Sequence, residues 1–259
     1  MTFGTAEGSD LFFVPGITSP AETVQFIAAA LPEYRVHVPD LRGRGQTDRA
    51  ASGHYRLGDY RDDLAALIDA LDLQSATVVG HSLGARIAAA WAAEQEPVES
   101  RVVLVDPPTS GPGRAPYPMS AESFARQIEQ ARAGTTPDQV RAFFPAWPER
   151  ELRLRVEVLA DCDPLAVAET HYGFEHDDFF AIWQRLRGNV ALIYGRQSPV
   201  VPESAVAELG DTNPEIPMYA VAGAGHMVPW DSLAGFIDTL RDALQTMSLT
   251  RPTQESRHV

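Results

Sequence analysis

Short apolar runs rich in β-branched residues alternate with helical patterns along most of this chain. Runs of this kind are typical of parallel strands whose two faces are both covered by helices. We therefore predict an α/β fold with a mostly parallel central sheet flanked by helices. The predicted strands are Leu11–Val14, Tyr34–Val38, Ala76–Val79, Arg101–Val105, Asn189–Tyr194 and Ile216–Val221.

The alternation stops after Asp106, where the turn-rich stretch Pro107–Arg114 begins. Several helical patterns without a clear strand follow, until the strand pattern resumes at Asn189. A helical insertion between two strands predicts a lid above the sheet edge, where binding sites form. We predict a core of residues 1–110 and 188–248, a helical lid of residues 111–187 and a flexible tail of residues 249–259.

The chain of 259 residues carries a net charge of −14, which argues against nucleic acid or an anionic membrane as its main partner. All 21 basic residues are arginines. The chain therefore lacks the lysine that a Schiff base, a pyridoxal phosphate anchor or a phosphate-binding loop requires.

Cysteine usage and hydropathy exclude further classes of site. The single cysteine, Cys162, excludes an internal disulfide and a metal site built from several cysteines. No apolar run approaches the ~20 residues of a membrane span, and the first residues lack the pattern of a secretion signal. We predict a cytoplasmic protein without a cofactor or a bound metal.

Residues 80–84 read GHSLG and lie directly between a predicted strand and the helical run Ala85–Ala93. This fits the G-x-S-x-G pattern, in which a serine occupies a tight strand-to-helix turn with strained backbone angles. Small neighbours avoid clashes in that turn, which brings the hydroxyl into the open. We predict Ser82 as a nucleophile and the N–H of Leu83 as one donor to an oxyanion. The alternative is an ordinary glycine-rich turn.

A second oxyanion donor is expected from the loop after the first strand, within Phe13–Thr18. Gly16 allows close approach of the backbone there, and the next residue, Ile17, can present its N–H. We predict Ile17 as the second donor, with a simple strand-ending turn as the alternative.

Seven histidines compete for the role of general base. His226 lies in the segment Gly223–Trp230, between the last predicted strand and the final helical pattern. Its small neighbours let the segment bend over the carboxyl edge of the sheet. We predict His226 as the base, and a buried structural histidine is the alternative.

The acid that orients the histidine is predicted at Asp106, which ends the strand following the serine's strand and helix. Along the chain the order is Ser82, Asp106, His226. This is the order of nucleophile, acid and histidine in proteins whose serine lies on a turn of this type. The loop after the strand Asn189–Tyr194, a common place for the acid, offers Ser198 instead. We expect substitution of Ser198 to have little effect. Competing acids are Glu203, Asp211 and Asp231.

Through Asp40–Gly45, the serine turn and Ala224–His226, the chain resembles the α/β-hydrolase superfamily along nearly its whole length. More narrowly, it resembles the N-formylmaleamate deformylases of nicotinate degradation. The stretches that carry this narrower resemblance are Val14–Ala21, Gly80–Arg86, Leu104–Pro118, Ala224–Asp231 and, in the predicted lid, Arg141–Phe143, Trp147 and Leu152–Leu159.

The resemblance implies an α/β-hydrolase fold with Ser82 as nucleophile, Asp106 as acid and His226 as base, the acid position being a familiar variant. The family usually carries an antiparallel hairpin before the strand that begins at Leu11. Ten residues precede Leu11 in this chain, which predicts a shortened N-terminal hairpin.

The predicted reaction is hydrolysis of the C–N bond of an N-formyl amide through a formyl-enzyme. The small anionic substrate needs a local cation in a strongly acidic protein. Arg114 and Arg86 are the candidate cations, and the candidate wall residues are Tyr117, Trp147 and His171. Each of these side chains has a structural role as its alternative.

Other functions fit the same pattern of residues. A carboxylesterase or a C–C bond hydrolase would use the same three residues on another acyl group. A cofactor-free dioxygenase of this fold would use the histidine as a base, and a non-catalytic binding protein would use none of them. The sequence leaves the oligomeric state open, a homo-oligomer included.

Overall fold

Seven strands form one sheet in a computed structural model that describes residues 1–73, 75–95 and 100–249. The strands are β1 Thr2–Gly4, β2 Ser9–Val14, β3 Tyr34–His37, β4 Thr77–His81, β5 Arg101–Val105, β6 Val190–Gly195 and β7 Met218–Val221. Their order is β1-β3-β2-β4-β5-β6-β7, and all neighbours are parallel except β1 and β3. Each predicted strand overlaps an observed one, and the mostly parallel sheet is confirmed.

The sequence prediction missed β1. This strand has three residues and pairs antiparallel with β3, with Thr2 opposite His37 and Gly4 opposite Arg35. Three residues are too few to show a periodic pattern. The segment before Leu11 therefore contributes one short antiparallel edge strand to the sheet.

The helices cover both faces of the sheet. They are α1 Gln25–Ala29, α2 Leu57–Ala70, α3 Leu83–Ala92, α4 Ala121–Gly134, α5 Pro137–Arg141, α6 Glu149–Val158, α7 Pro164–His176, α8 Phe179–Trp183, α9 Glu203–Thr212, α10 Val228–Asp231 and α11 Leu233–Leu249. Helices α4 to α8 lie between β5 and β6. The predicted tail, residues 249–259, lies outside the described residues apart from the last residue of α11. Within the described part of the chain, no helix is long and apolar enough to cross a membrane.

Successive side chains of the central strands enter two separate hydrophobic clusters. In β2, Leu11 and Phe13 pack on one side of the sheet, whereas Phe12 and Val14 pack on the other. All four are at most 2% exposed. Because both faces of each central strand are covered, both sets of alternating positions are apolar, which explains the continuous runs in the sequence.

Arg86 joins α3 to the segment between β5 and β6. Its guanidinium is buried and donates to the backbone carbonyls of Pro108 at 2.8 Å and Ser110 at 2.5 Å. It also donates to the carbonyls of Gly173 at 3.3 Å and Asp177 at 3.4 Å. Burial lowers the pKa of Arg86 to about 10, so the side chain remains charged at neutral pH.

Replacement of Arg86 by methionine should lower the free energy of unfolding by about 3 kcal/mol, because buried carbonyls lose a charged donor. Urea unfolding followed by tryptophan fluorescence measures this change. The matched control is Arg187→Met, since Arg187 is exposed and should alter stability by less than ~0.5 kcal/mol. Equal stability of the two variants would contradict the structural role of Arg86.

Candidate active site

The turn between β4 and α3 holds Ser82 in a conformation that few residues adopt, with φ 57° and ψ −115°. Two close contacts explain the glycines around it. A Cβ at Gly84 would lie 1.9 Å from the Val14 carbonyl oxygen, and one at Gly80 would lie 2.1 Å from the carbonyl oxygen of Gly84. Both positions therefore require glycine, and the start of α3 packs directly against the end of β2.

The structure brings Ser82, His226 and Asp106 into one hydrogen-bonded chain. The distance from Ser82 Oγ to His226 Nε2 is 3.0 Å, and the distance from His226 Nδ1 to Asp106 Oδ2 is 2.8 Å. With its proton on Nδ1, the imidazole donates to the carboxylate and accepts from the serine hydroxyl. This arrangement leaves the Nε2 lone pair in place to accept the proton of Ser82.

Asp106 is completely buried and adopts a positive φ of 49°. Its Oδ1 accepts from the backbone N–H of Gly195 at 2.9 Å, and its Oδ2 accepts from the hydroxyl of Ser198 at 2.6 Å. The Ser198 hydroxyl also accepts from the N–H groups of Val200 at 3.1 Å and Val201 at 3.3 Å. The expectation that Ser198 matters little does not fit this geometry, because its hydroxyl meets the same carboxylate oxygen as His226.

The loop that carries His226 is held by two side chains. His81 is buried, which lowers its pKa to about 3 and keeps it neutral. Its Nε2 lies 3.0 Å from the backbone carbonyl oxygen of His226, to which the neutral ring donates. Asp231, one of the competing acids, instead accepts from the N–H of Gly225 at 2.9 Å.

Both segments that carry the predicted oxyanion donors lie close to Ser82, since a Cβ at Gly16 would lie 3.5 Å from the Ser82 Cβ. Leu83 is the first residue of α3, so its N–H has no carbonyl partner within the helix. Ile17 lines the same cavity as Ser82. The carbonyl of Gly16 accepts from the N–H of Ser19 at 3.2 Å, and across a trans peptide the Ile17 N–H points the opposite way. Arg44 donates to the Ile17 carbonyl at 2.9 Å and holds this loop in place.

A cavity of about 180 Å³ opens beside Ser82 and His226. Much of its wall is apolar or aromatic, with Tyr117, Met119, Phe124, Phe144, Trp147 and Val200 among the lining residues. The hydroxyl of Tyr117 lies 3.3 Å from His226 Nε2, and burial raises the pKa of this phenol, which keeps it protonated. Tyr117 and Trp147, two of the candidate wall residues, therefore both line this cavity.

The other three candidate substrate-binding residues do not line this cavity. Arg114 pairs with Glu208 at 2.6 Å, and its guanidinium lies 3.4 Å from the centre of the Phe180 ring. The Arg86 guanidinium is occupied by backbone carbonyls, as described above. His171 packs edge-on behind Tyr117 at a ring distance of 5.9 Å and does not line the cavity.

Sequence reasoning missed the arginine that does line the cavity, Arg155 of α6. The helical pattern of this segment is visible in the sequence, but nothing local distinguishes Arg155 from its neighbours Arg150 and Arg153. Among the residues that the structure describes, no group of three or more histidine, cysteine or acidic side chains is arranged to hold a metal ion.

Ser198→Ala should lower kcat/KM about 10-fold, because the charged Asp106 loses a hydrogen-bond donor. Steady-state hydrolysis of an aryl ester measures this change. Ser204→Ala, a change at an exposed residue of α9, is the control. A Ser198→Ala variant with the same kcat/KM as Ser204→Ala would contradict this role.

Known proteins resemble this chain over most of its length. A family model for the alpha/beta hydrolase fold matches residues 11–233. N-formylmaleamate deformylase of Pseudomonas putida is 38% identical over 239 residues, which is 92% of this chain and 89% of that protein. The 2-(acetamidomethylene)succinate hydrolase of Mesorhizobium japonicum is 29% identical over 239 residues, 85% of this chain and 82% of that protein.

Solved structures show the same relationship. The crystal structure of N-formylmaleamic acid deformylase from Pseudomonas putida S16 superimposes with a TM-score of 0.84, at 40% identity, over 92% of both chains. That of E-2-(acetamidomethylene)succinate hydrolase has a TM-score of 0.74 at 26% identity, over 94% of this chain and 93% of the other. These matches confirm the predicted superfamily and the narrower resemblance to the deformylases. The chain belongs to the α/β-hydrolase family.

Proposed function

We propose that this chain is a serine hydrolase that releases formate from N-formylmaleamate or a close analogue. The observation that carries the proposal is the hydrogen-bonded chain of Ser82, His226 and Asp106 beside a small cavity. The 38% identity with a P. putida deformylase supports the choice of substrate. The names of both relatives describe N-acyl compounds that bear a carboxylate, which supports a small acidic substrate.

The first half of the reaction transfers the formyl group to the enzyme. His226 Nε2 accepts the proton of Ser82 as Oγ attacks the formyl carbon. The negative charge that develops on the formyl oxygen is stabilised by the N–H groups of Leu83 and Ile17. Asp106 keeps the imidazole oriented and stabilises its protonated form.

The second half releases both products. The protonated His226 donates to the departing nitrogen, the C–N bond breaks and maleamate leaves. The nitrogen of an N-formyl amide of this kind is flanked by two carbonyl groups and is less basic than that of an ordinary amide, which makes it a better leaving group. Water, activated by His226, then attacks the formyl-enzyme, and formate is released as Ser82 regains its proton.

The cavity and its wall suit this reaction. A volume of about 180 Å³ is adapted to a small compound, and formyl is the smallest acyl group. Aromatic side chains reduce the access of water, which strengthens the interactions of the oxyanion with its donors. Ester hydrolysis and C–C bond hydrolysis are alternatives that would use the same three residues, whereas cofactor-free oxygenation would use His226 as a base toward oxygen chemistry.

Incubation of the protein with N-formylmaleamate should release formate, and Ser82→Ala should lower kcat by at least ~10⁴-fold. Formate dehydrogenase measures the formate, and an oxygen electrode run in parallel measures oxygen uptake. Turnover of simple aryl esters without formate release would replace the proposal by an esterase. Oxygen uptake without formate release would replace it by a dioxygenase.

Asp106→Asn should lower kcat by about 10³- to 10⁴-fold, because the amide no longer holds His226 in the tautomer that accepts from Ser82. The measurement is steady-state formate release at saturating substrate. Asp211→Asn changes an exposed competing acid and should retain near-normal activity. Near-normal activity of Asp106→Asn would disprove the acid assignment.

A further inference from the structure

Arg155 projects from α6 into the cavity that contains Ser82 and His226. The side chain is only 7% exposed. It donates through Nη1 to the carbonyl of Thr18 and through Nη2 to the Thr18 hydroxyl, the latter at 2.8 Å. These two bonds connect it to the loop that presents Ile17.

The guanidinium of Arg155 has N–H donors that are not used in hydrogen bonds. Arginine carries five N–H donors, and Thr18 accepts two of them. Nε is buried and has no hydrogen-bond partner among the described residues. Glu151, one helical turn earlier, lies 3.6 Å from Arg150, and within residues 1–73, 75–95 and 100–249 no carboxylate forms an ion pair with Arg155.

The other two buried arginines among the described residues, Arg44 and Arg86, make more hydrogen bonds than Arg155 does. Arg44 donates to three backbone carbonyls and to the hydroxyls of Tyr60 and Thr170. Arg86 meets four backbone carbonyls. Of the described residues that line the cavity, only Arg155 carries a fixed positive charge. A buried cation without an anionic partner is costly, and a bound anion removes that cost.

We propose that Arg155 is the carboxylate subsite of this cavity, and that it selects small acyl compounds bearing one carboxylate. The inference rests on the proposed function only in assuming that the acyl carbon of the substrate lies at Ser82. Nε–H and a free Nη–H offer a planar fork to the two carboxylate oxygens. A neutral compound of the same size leaves the cation unpaired and is disfavoured.

The same guanidinium connects specificity to catalysis. Its bonds to Thr18 fix the residue directly after Ile17, so the carboxylate and the oxyanion loop share one side chain. A substrate whose carboxylate pairs with Arg155 is held at a set distance from the Leu83 and Ile17 donors. Positioning of this kind lowers the barrier of the acyl transfer step.

Equilibrium binding to the Ser82→Ala protein tests the subsite without turnover. The probes are maleamate, which has one carboxylate, and maleamide, its neutral diamide of nearly the same size. Isothermal titration calorimetry should show that maleamate binds at least tenfold more tightly than maleamide. Addition of Arg155→Gln should weaken maleamate binding by on the order of 100-fold and leave maleamide binding nearly unchanged.

Two further variants separate charge recognition from structural damage. Arg153→Gln removes a positive charge from the exposed face of the same helix, where Arg153 pairs with Glu149 at 2.9 Å, and should leave both affinities unchanged. Arg155→Lys keeps the charge but not the fork, and should bind maleamate with intermediate affinity. Circular dichroism establishes that each variant is folded.

Absence of a preference for maleamate in the Ser82→Ala protein would overturn the proposal. A preference for maleamate that survives Arg155→Gln would also overturn it. So would an equal loss of affinity for both probes, because this would show that Arg155 only supports the Thr18 loop. The formate assay on the intact enzyme tests the proposed function separately from the subsite. A carboxylate preference without formate release removes the deformylase assignment alone, whereas formate release without dependence on Arg155 removes the subsite alone.

Discussion

The contact between the start of α3 and the end of β2 determines the positions of the other parts of the site. No side-chain atom fits between Gly84 and the Val14 carbonyl oxygen, where a Cβ would lie at 1.9 Å. This close packing places Ser82, directly before the start of α3, beside the Gly16–Ile17 loop. The strained backbone of Ser82 is anchored to the sheet, since its N–H donates to the Val105 carbonyl at 2.9 Å.

Local patterns were sufficient to predict six of the seven strands and to place Ser82, Asp106 and His226 near the carboxyl edge of the sheet, because apolar runs mark the strands and glycine spacing marks the turns. They were insufficient where contacts distant in sequence decide. Arg86 meets carbonyls 87 and 91 positions away, and Arg155 meets Thr18, which is 137 positions away. With 21 arginines in the chain, no local feature distinguishes the arginine that lines the cavity. The missing acid at Ser198 was visible in the sequence, but the contact of its hydroxyl with Asp106 was not.

Three buried arginines connect the sheet and its loops to the helices between β5 and β6. Arg44 reaches Thr170 of α7 at 3.1 Å, Arg86 reaches the carbonyl of Gly173, and Arg155 of α6 reaches Thr18. A guanidinium stays charged at all physiological pH values and suits several carbonyl acceptors at once. Because α6 contacts the Gly16–Thr18 loop directly through Arg155, displacement of this helix would also move Ile17, the proposed oxyanion donor.

The carboxylate of Asp106 and the hydroxyl of Ser198 come from the ends of adjacent strands and lie 2.6 Å apart. An acid supplied from either strand end would therefore meet His226 Nδ1 from nearly the same point. Exchange of the two residues would move the negative charge from one strand to the next and leave Ser82 and His226 where they are. The chemistry of the site therefore depends on where a carboxylate meets His226 Nδ1, and not on which of the two strands carries it.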